Sequence, residues 1–230
     1  MAPRPNHRRL YLFDIDGTLL STGGSARLAM ALAFQRAFGI EDGFKAVEFT
    51  GRSDLAILQD ALSNAALANG DLPALARRFK HAYMRILPRV MVEMAEQGVL
   101  HPGVVPLLGR LNADADATVS LGTGNFRGSA RLKLKHYGIA EHFRFGGFGD
   151  RTTVRAGIIE QGIRAANRAV GKHGTVFVIG DTVHDVAAAK ANGAVAVAVA
   201  TGLPTREELA TSGPDILLDT LEDAFKHLGH

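Results

Sequence analysis

The distribution of apolar and polar residues along the chain predicts an α/β fold. Short continuous runs rich in Val, Ile, Leu and Phe alternate with longer segments in which apolar residues recur three and four positions apart. The first pattern is typical of strands buried on both faces of a parallel sheet, and the second of amphipathic helices that cover it. The predicted strands are residues 10–13, 118–121, 143–146, 175–179, 195–199 and 215–218, and the predicted helices between them are 104–111, 126–137, 155–170, 183–192 and 205–210. The expected fold is a doubly wound, Rossmann-like parallel sheet.

Residues 21–98 interrupt this alternation, because their pattern predicts helices only. The second of these helices follows Ser53, whose hydroxyl can cap its first turn, and we expect Pro88 to end or kink the third. The chain is therefore predicted to contain two units. One is an α/β core formed by residues 1–20 and 99–230, and the other is a helical cap inserted over the strand ends.

Composition and charge exclude several classes of protein. Of the 230 residues, 47% are hydrophobic and 21% are charged, which is typical of a globular protein. The net charge is only +3, with no cluster of basic and aromatic residues, so binding to nucleic acid is not expected. The chain contains no Cys, which excludes disulfides, thiolate metal sites and a cysteine nucleophile.

The location of the protein is predicted from the same features. No apolar run approaches the roughly 18 residues needed to span a membrane. The apolar run that follows the basic N-terminal residues is cut short by Asp14, which argues against a secretory signal. We expect a cytoplasmic protein without membrane or nucleic-acid partners, and either a monomer or a homodimer is compatible with the sequence.

Polar residues follow four of the predicted strands, and parallel strands open on one edge of a sheet, where ligands bind. We therefore expect these four loops to converge on one site. The residues concerned are Asp14 and Asp16 after the first strand, Thr123 and Asn125 after the second, Asp150, Arg151 and Arg155 after the third, and Asp181 and Asp185 after the fourth.

The residue types in these loops favour phosphoryl chemistry. Asp14, Asp16 and Asp181 offer the oxygen ligands that Mg²⁺ prefers, and a phosphoryl group held there would be exposed to attack by a carboxylate. Backbone N–H groups at Gly17 and the start of the helix after Asn125 can bind phosphate oxygens.

A cation is also expected, to balance the charge of the transferring group. Arg155 is the first candidate for this role, and Lys133 and Lys135 are the alternatives.

Three segments resemble the motifs of the haloacid dehalogenase-like hydrolase superfamily. They are Asp-Ile-Asp-Gly-Thr-Leu at 14–19, Leu-Gly-Thr-Gly-Asn at 121–125 and Gly-Asp-Thr-Val-His-Asp at 180–185, in the order in which that family has motifs I, II and IV. The helical block at 21–98 is similar to the cap that phosphoglycolate phosphatase-like members insert after motif I.

The resemblance implies a role for each matching residue. Asp14 would be the nucleophile, and Asp16 would be the general acid and base and would give its backbone carbonyl to the metal. Thr123 would bind the phosphoryl group, next to Gly124. Asp181 would be a Mg²⁺ ligand, and Asp185 either a ligand through water or a partner of the cationic residue. The second aspartate of motif I is absent from true dehalogenases of the family, so Asp16 points to phosphoryl transfer.

Two features depart from the family pattern. Residues 147–160 contain no lysine where motif III usually has one, and Arg155 occupies that place; arginine keeps the charge but differs in shape. Ser21 and Thr22 stand where many such phosphatases have an acid, on the side of the cap. Arg52 belongs to a segment that resembles a cap loop dipping toward the site, where it could hold an anionic part of a substrate.

The sequence therefore predicts a Mg²⁺-dependent phosphatase acting on a small phosphorylated metabolite through an aspartyl-phosphate. A phosphomutase would use the same intermediate. A catalytically impaired relative that binds a partner is the other alternative, because motif III is altered. A response-regulator receiver also has paired acids on a parallel sheet, but the large helical insertion and the motif at 14–18 argue against it.

Overall fold

The computed structural model describes residues 7–228 and contains a six-stranded parallel sheet and a two-stranded antiparallel ribbon. The strands are β1 (Arg9–Phe13), β2 (Leu20–Ser21), β3 (Val99–Leu100), β4 (Ala117–Thr123), β5 (Gly146–Phe148), β6 (Thr175–Gly180), β7 (Val195–Val199) and β8 (Ile216–Leu218). The α-helices are α1 (Ser25–Phe38), α2 (Asp54–Asn64), α3 (Leu72–Glu93), α4 (Val104–Ala113), α5 (Arg127–His136), α6 (Arg155–Val170), α7 (Val183–Ala191) and α8 (Arg206–Thr211). Short 3₁₀ helices cover Ala95–Gln97, Ala140–His142 and Leu221–Lys226.

The large sheet has the strand order β5-β4-β1-β6-β7-β8, with every neighbouring pair parallel. The first strand lies between β4 and β6, so the chain builds one half of the sheet and then returns past β1 to build the other. Ligands of such sheets bind at this reversal, outside the carboxyl ends of the strands. Phe13, the last residue of β1, lies opposite both Leu121 and Ile179.

The alternation of side chains along β1 explains why helices cover both faces of the sheet. Tyr11 and Phe13 are buried in one apolar cluster with residues of α4 and α5. Leu10 and Leu12 are buried on the opposite face with residues of α6, α7 and α8. Successive residues of a strand point to opposite faces, so an uninterrupted apolar strand requires cover on both. The predicted doubly wound α/β fold is confirmed.

The helical block leaves and rejoins the sheet through the ribbon of β2 and β3, in which Leu20 lies opposite Leu100 and Ser21 opposite Val99. The sequence did not predict this ribbon, because two residues are too few to produce a period. The predicted boundary at 20/21 falls within β2, and the one at 98/99 lies at the start of β3. The division into core and cap remains a prediction.

Aromatic packing fills the centre of the helical block. The Phe79 ring lies 6.5 Å from Phe34, 6.1 Å from Phe44 and 5.6 Å from Tyr83, measured between ring centroids. Phe126, just before α5, lies 6.5 Å from Phe79 and is buried in the same cluster. The helical block and the segment after β4 therefore share one apolar core.

One local prediction was wrong, and one of the two outcomes expected at Pro88, the end of the helix, does not occur. The strand expected at 143–146 lies at Gly146–Phe148 instead, because there it pairs with residues 121–123 of β4. The third helix does not end at Pro88 but continues to Glu93. Leu87, Val90 and Met91 are buried beside Pro88, and their packing outweighs the hydrogen bond that proline cannot make.

No helix within residues 7–228 is both long enough and apolar enough to cross a membrane.

We expect Phe79→Ala to lower the free energy of unfolding by about 3–5 kcal/mol, because it removes a fully buried ring from the centre of the aromatic cluster. Chemical denaturation followed by circular dichroism measures this loss. The matched control is Leu28→Ala on α1, whose side chain is exposed, with an expected change within about 0.5 kcal/mol. Equal effects of the two substitutions would contradict the packing described here.

Candidate active site

The register of the sheet brings three sequence motifs to one edge. Asp14 follows β1, Thr123 ends β4 and Asp181 follows β6. Because Phe13 lies opposite residues of both β4 and β6, the residues that follow these strands emerge side by side. The backbone N–H of Asp14 donates to Ile179 O at 2.9 Å, which extends the ladder to the site.

Three of the predicted acids form one buried cluster. Carboxylate oxygens of Asp14, Asp181 and Asp185 all lie within 4.8 Å of one another. The position of Asp185 follows from the start of α7, where Thr182 and Asp185 form a reciprocal capping box. Asp185 Oδ2 accepts hydrogen bonds from the Thr182 N–H at 3.1 Å and from its hydroxyl at 2.6 Å. Asp185 therefore helps to cap α7 and also completes the acidic cluster.

Arg155, the first residue of α6, supplies the cation of this cluster. Its Nη2 lies 2.6 Å from Asp14 Oδ2 and 2.5 Å from Asp185 Oδ1, and its Nε donates to Asp185 Oδ1 at 2.8 Å. The guanidinium therefore bridges two carboxylates, which a compact ammonium could not do with the same geometry. Burial alone would lower the pKa of Arg155, but the charges of Asp14 and Asp185 outweigh it and raise that pKa.

The cluster contains more negative charge than its one guanidinium balances. Burial, opposed by Arg155 and reinforced by Asp185 and Asp16, raises the pKa of Asp14 to about 6. Burial and the charges of Asp185 and Asp14 raise the pKa of Asp181 well above its usual range. The hydroxyl of Thr18 donates to Asp181 Oδ1 at 2.9 Å and opposes this shift.

The donor set of the cluster fits a hard divalent cation. Asp14 Oδ1 is buried, and among the described residues it has no hydrogen-bond partner. A Cβ at Gly17 or Gly202 would collide with the Asp181 carboxylate, so both glycines allow close packing around that carboxylate. Carboxylate oxygens are hard ligands of the kind that Mg²⁺ prefers.

Asp16 faces a different partner. Its side chain is absent from the acidic cluster and points to Lys133, whose Nζ donates to Oδ1 at 2.8 Å and to Oδ2 at 2.7 Å. Asn125 Nδ2 donates to Asp16 Oδ2 at 2.7 Å. The two acids of the first motif are thus separated, Asp14 toward Arg155 and Asp16 toward Lys133. Lys135, the third cationic candidate, is exposed and does not line the cavity.

The predicted phosphate-binding residues lie along one side of the site. Thr123 is fully buried, and its Oγ1 accepts a hydrogen bond from Asn125 Nδ2 at 2.8 Å. The hydroxyl hydrogen of Thr123 takes no part in that bond. Gly124 and Asn125 line a cavity that Asp14, Asp16, Gly17 and Asp181 also line. Thr123 and Asp185 are not among the lining residues.

This cavity has a volume of about 430 Å³ and lies between the strand ends and the helical block. Ser21, Thr22 and Arg52 line it, as does Arg27, whose guanidinium lies 4.6 Å from the centroid of the Phe49 ring. Arg52 is paired with Asp60. The strand ends therefore contribute Asp14, Asp16 and Asp181 to the lining, and the helical block contributes Arg27 and Arg52.

Several residues at the site were missed by the sequence analysis. Thr18 belongs to the first motif, which was a sufficient signal. Thr201, whose hydroxyl donates to Gly17 O at 2.6 Å, and Gly202 follow β7, a strand end to which the analysis assigned no polar residue. Asp54, the first residue of α2, was also not among the predicted site residues. Its carboxylate accepts from the Phe126 N–H and the Ser129 hydroxyl, both at 2.8 Å, and no local pattern reveals contacts so distant in sequence.

Comparison with known families identifies the class of protein. The model of the haloacid dehalogenase-like hydrolase family matches residues 9–193, which include all three motifs. The chain belongs to the haloacid dehalogenase-like hydrolases. This family membership confirms the resemblance inferred from the motifs and the prediction that the protein is an enzyme.

Curated proteins of this hydrolase family resemble the chain over nearly its whole length. A protein named "Probable phosphatase IndB", from Dickeya dadantii, is 25% identical over 93% of this chain and 90% of its own. A phosphoglycolate phosphatase from Synechococcus elongatus is 27% identical over 94% of both chains. A phosphoglycolate phosphatase from Salmonella typhimurium is also 27% identical, over 94% of this chain and 91% of its own.

Solved structures share the fold of this hydrolase. A predicted phosphatase from Clostridium acetobutylicum superposes with a TM-score of 0.68 at 18% identity, covering 96% of this chain and 98% of the other. CbbY from Rhodobacter sphaeroides, solved in complex with phosphate, superposes with a TM-score of 0.68 at 21% identity, covering 93% and 95%. At these identities the superpositions establish the fold alone.

We expect Asp181→Asn to raise the melting temperature of the metal-free protein at pH 7.5. Because the pKa of Asp181 is raised on folding, its charged form is less favourable in the folded chain than in the unfolded one. The melting temperature should rise by roughly 2–4 °C for each 1 kcal/mol gained in the free energy of unfolding. The difference should disappear as the pH falls toward 3.8, the ordinary pKa of an aspartate.

Calorimetry in EDTA across this pH range measures the effect, with Asp116→Asn at an exposed position as the control. Added Mg²⁺ is expected to raise the melting temperature of the unmodified protein more than that of the variant. If the variant is less stable than the unmodified protein in EDTA at pH 7.5, the cluster does not contain more negative charge than its cation balances.

Proposed function

We propose that the protein is a Mg²⁺-dependent phosphatase that hydrolyses a small phosphorylated metabolite through an aspartyl-phosphate on Asp14. The observation that carries this proposal is the buried cluster of Asp14, Asp181 and Asp185 with Arg155, open to a cavity of about 430 Å³. A carboxylate nucleophile needs its charge and that of the phosphate balanced, and this arrangement provides for both. The phosphatase names of the curated relatives support the same activity.

In the first step, a carboxylate oxygen of Asp14 attacks phosphorus and the bond to the leaving oxygen breaks. Asp16 donates a proton to that oxygen, which departs as an alcohol. In the second step, Asp16 accepts a proton from water, the water oxygen attacks phosphorus and Asp14 is released as a carboxylate. Phosphate is the product, and both acids return to their initial state.

The remaining residues hold the phosphoryl group and its charge. Arg155 keeps Asp14 oriented and offsets developing negative charge. The Thr123 hydroxyl and backbone N–H groups at Gly17, Gly124 and Asn125 provide donors for phosphoryl oxygens. Mg²⁺ would be held by Asp14, Asp181, the Asp16 carbonyl and Asp185, directly or through water, and it supplies further charge neutralisation.

The substrate is recognised, in this proposal, by the helical block acting as a cap. Ser21, Thr22, Arg27 and Arg52 line the half of the cavity opposite the acids and would contact the part of the substrate that is not phosphate. The lining of this half is partly apolar, with Met30, Phe49 and Ile57 also contributing. Closure of a cap would exclude water during phosphoryl transfer.

A phosphomutase would use the same aspartyl-phosphate but return the phosphoryl group to a second hydroxyl of the substrate. The fold is compatible with both reactions, and the names of the curated relatives favour hydrolysis. Product analysis separates the two, since a phosphatase releases inorganic phosphate in proportion to substrate consumed and a mutase releases an isomeric phosphate ester. An impaired relative would neither bind Mg²⁺ in calorimetry nor release phosphate.

We expect Asp14→Asn to abolish phosphate release from p-nitrophenyl phosphate, because an amide cannot replace the carboxylate nucleophile. The loss should be at least about 10⁴-fold in kcat. Release by the unmodified protein should require Mg²⁺ and stop with EDTA. Circular dichroism confirms that the variant is folded, and Asp116→Asn serves as an exposed control. Turnover at the unmodified rate in folded Asp14→Asn would refute the nucleophile assignment.

The proposed role of Arg155 predicts a graded response to substitution. Arg155→Lys keeps a charge but cannot bridge Asp14 and Asp185, so we expect kcat/KM to fall about 10-fold to 100-fold, and Arg155→Gln should cost at least about 100-fold. Arg164→Gln on the same helix, at an exposed position, is the matched control. If Arg155→Gln retained full activity, another cation would have to balance the transferring phosphate.

A further inference from the structure

A second buried cation lies at the candidate active site. Lys133 on α5 is only 3% exposed. Its Nζ donates to both carboxylate oxygens of Asp16 and to Asn125 Oδ1 at 2.6 Å. Burying an ammonium is unfavourable unless several oxygens replace its water, and these three oxygens do so. The reaction described above assigns no part to this residue.

Lys133 and Asn125 together determine how the Asp16 carboxylate is oriented. The Asp16 side chain is 41% exposed and opens on the cavity, so packing alone does not fix its rotamer. Three hydrogen bonds, two from Lys133 and one from Asn125, engage its two oxygens. They hold the carboxylate in a single orientation relative to the cavity.

The position of Lys133 is itself fixed by the rest of the molecule. The Asp54 carboxylate, at the start of α2, accepts from the Phe126 N–H and the Ser129 hydroxyl and thereby ties down the first turn of α5. Burial raises the pKa of Asp54, and the charge of Lys133 opposes that shift. The ammonium is therefore placed between Asp16 and the helical block by a rigid helix.

The two cations of the site have separate partners. Arg155 contacts Asp14 and Asp185, whereas Lys133 contacts Asp16 and Asn125. Lys133 thus does not duplicate Arg155. Lys133 lies beside Asp16, the proposed general acid and base, whereas Arg155 lies beside Asp14, the proposed nucleophile.

We propose that Lys133 is a positioning residue that, with Asn125, fixes the Asp16 carboxyl group for its proton transfers. This inference rests on the proposed function, in which Asp16 protonates the leaving oxygen. If Asp16 is wrongly oriented, the rate of hydrolysis should fall most for substrates whose leaving group must be protonated. An alkoxide needs one to depart, whereas p-nitrophenolate departs without one.

The test compares kcat/KM of Lys133→Met on two substrates, since this constant reports the steps up to phosphorylation of Asp14. The substrates are p-nitrophenyl phosphate and the alkyl monoester that the unmodified protein hydrolyses fastest in a panel. We expect the loss on the alkyl monoester to exceed the loss on p-nitrophenyl phosphate by about 10-fold to 100-fold. Asp16→Asn should show the same preference, and Arg131→Met, exposed on the same helix, should change neither constant.

Equal losses on the two substrates, or a gain on the alkyl monoester, would overturn the positioning role and leave Lys133 as a structural ion pair. If Lys133→Met is not folded by circular dichroism, Lys133→Gln, which removes the charge and shortens the side chain by one bond, is measured against the same ratio. Failure of the proposed function looks different: the unmodified protein would then hydrolyse neither substrate, or folded Asp14→Asn would retain activity, and the role of Lys133 would fall with it.

Discussion

The need to balance buried negative charge governs the arrangement of this protein. Asp14, Asp181 and Asp185 are brought together at the end of a parallel sheet, where burial raises the pKa of Asp14 and Asp181. Such a cluster is stable only with cations and hydrogen-bond donors around it. Arg155 provides part of the compensation, and the remaining excess of negative charge makes the site suitable for a divalent cation such as Mg²⁺.

The cations that balance the acids of the site come from helices on both faces of the sheet. Helix α6 covers one face and begins with Arg155, and α5 covers the other and contains Lys133. Each cation therefore reaches the strand ends from its own side, and each meets a different acid of the first motif. The separation of Asp14 from Asp16, which are only two residues apart in sequence, follows from this placement of helices.

The helical block is connected to the same network. Asp54 binds the first turn of α5, Phe126 packs against Phe79 within the block, and the cavity is lined from both sides. A change in the position of the block would therefore act on α5, and through α5 on the surroundings of Asp16. The helical block and Asp16 are physically adjacent in this arrangement, because α5 contacts both.

The sequence alone determined the fold class, five of the six strands of the large sheet and the acids at the strand ends, because continuous apolar runs and the three motifs are local patterns. It also placed Asp14, Asp181 and Arg155 in one site, since parallel strands open on one edge. It left open whether Asp185 pairs with the cation, and it could not assign the partners of Lys133, the role of Asp54 or the contact of Thr201 with Gly17. These depend on contacts between segments far apart in sequence, and only the tertiary structure decides which cation lies beside which carboxylate.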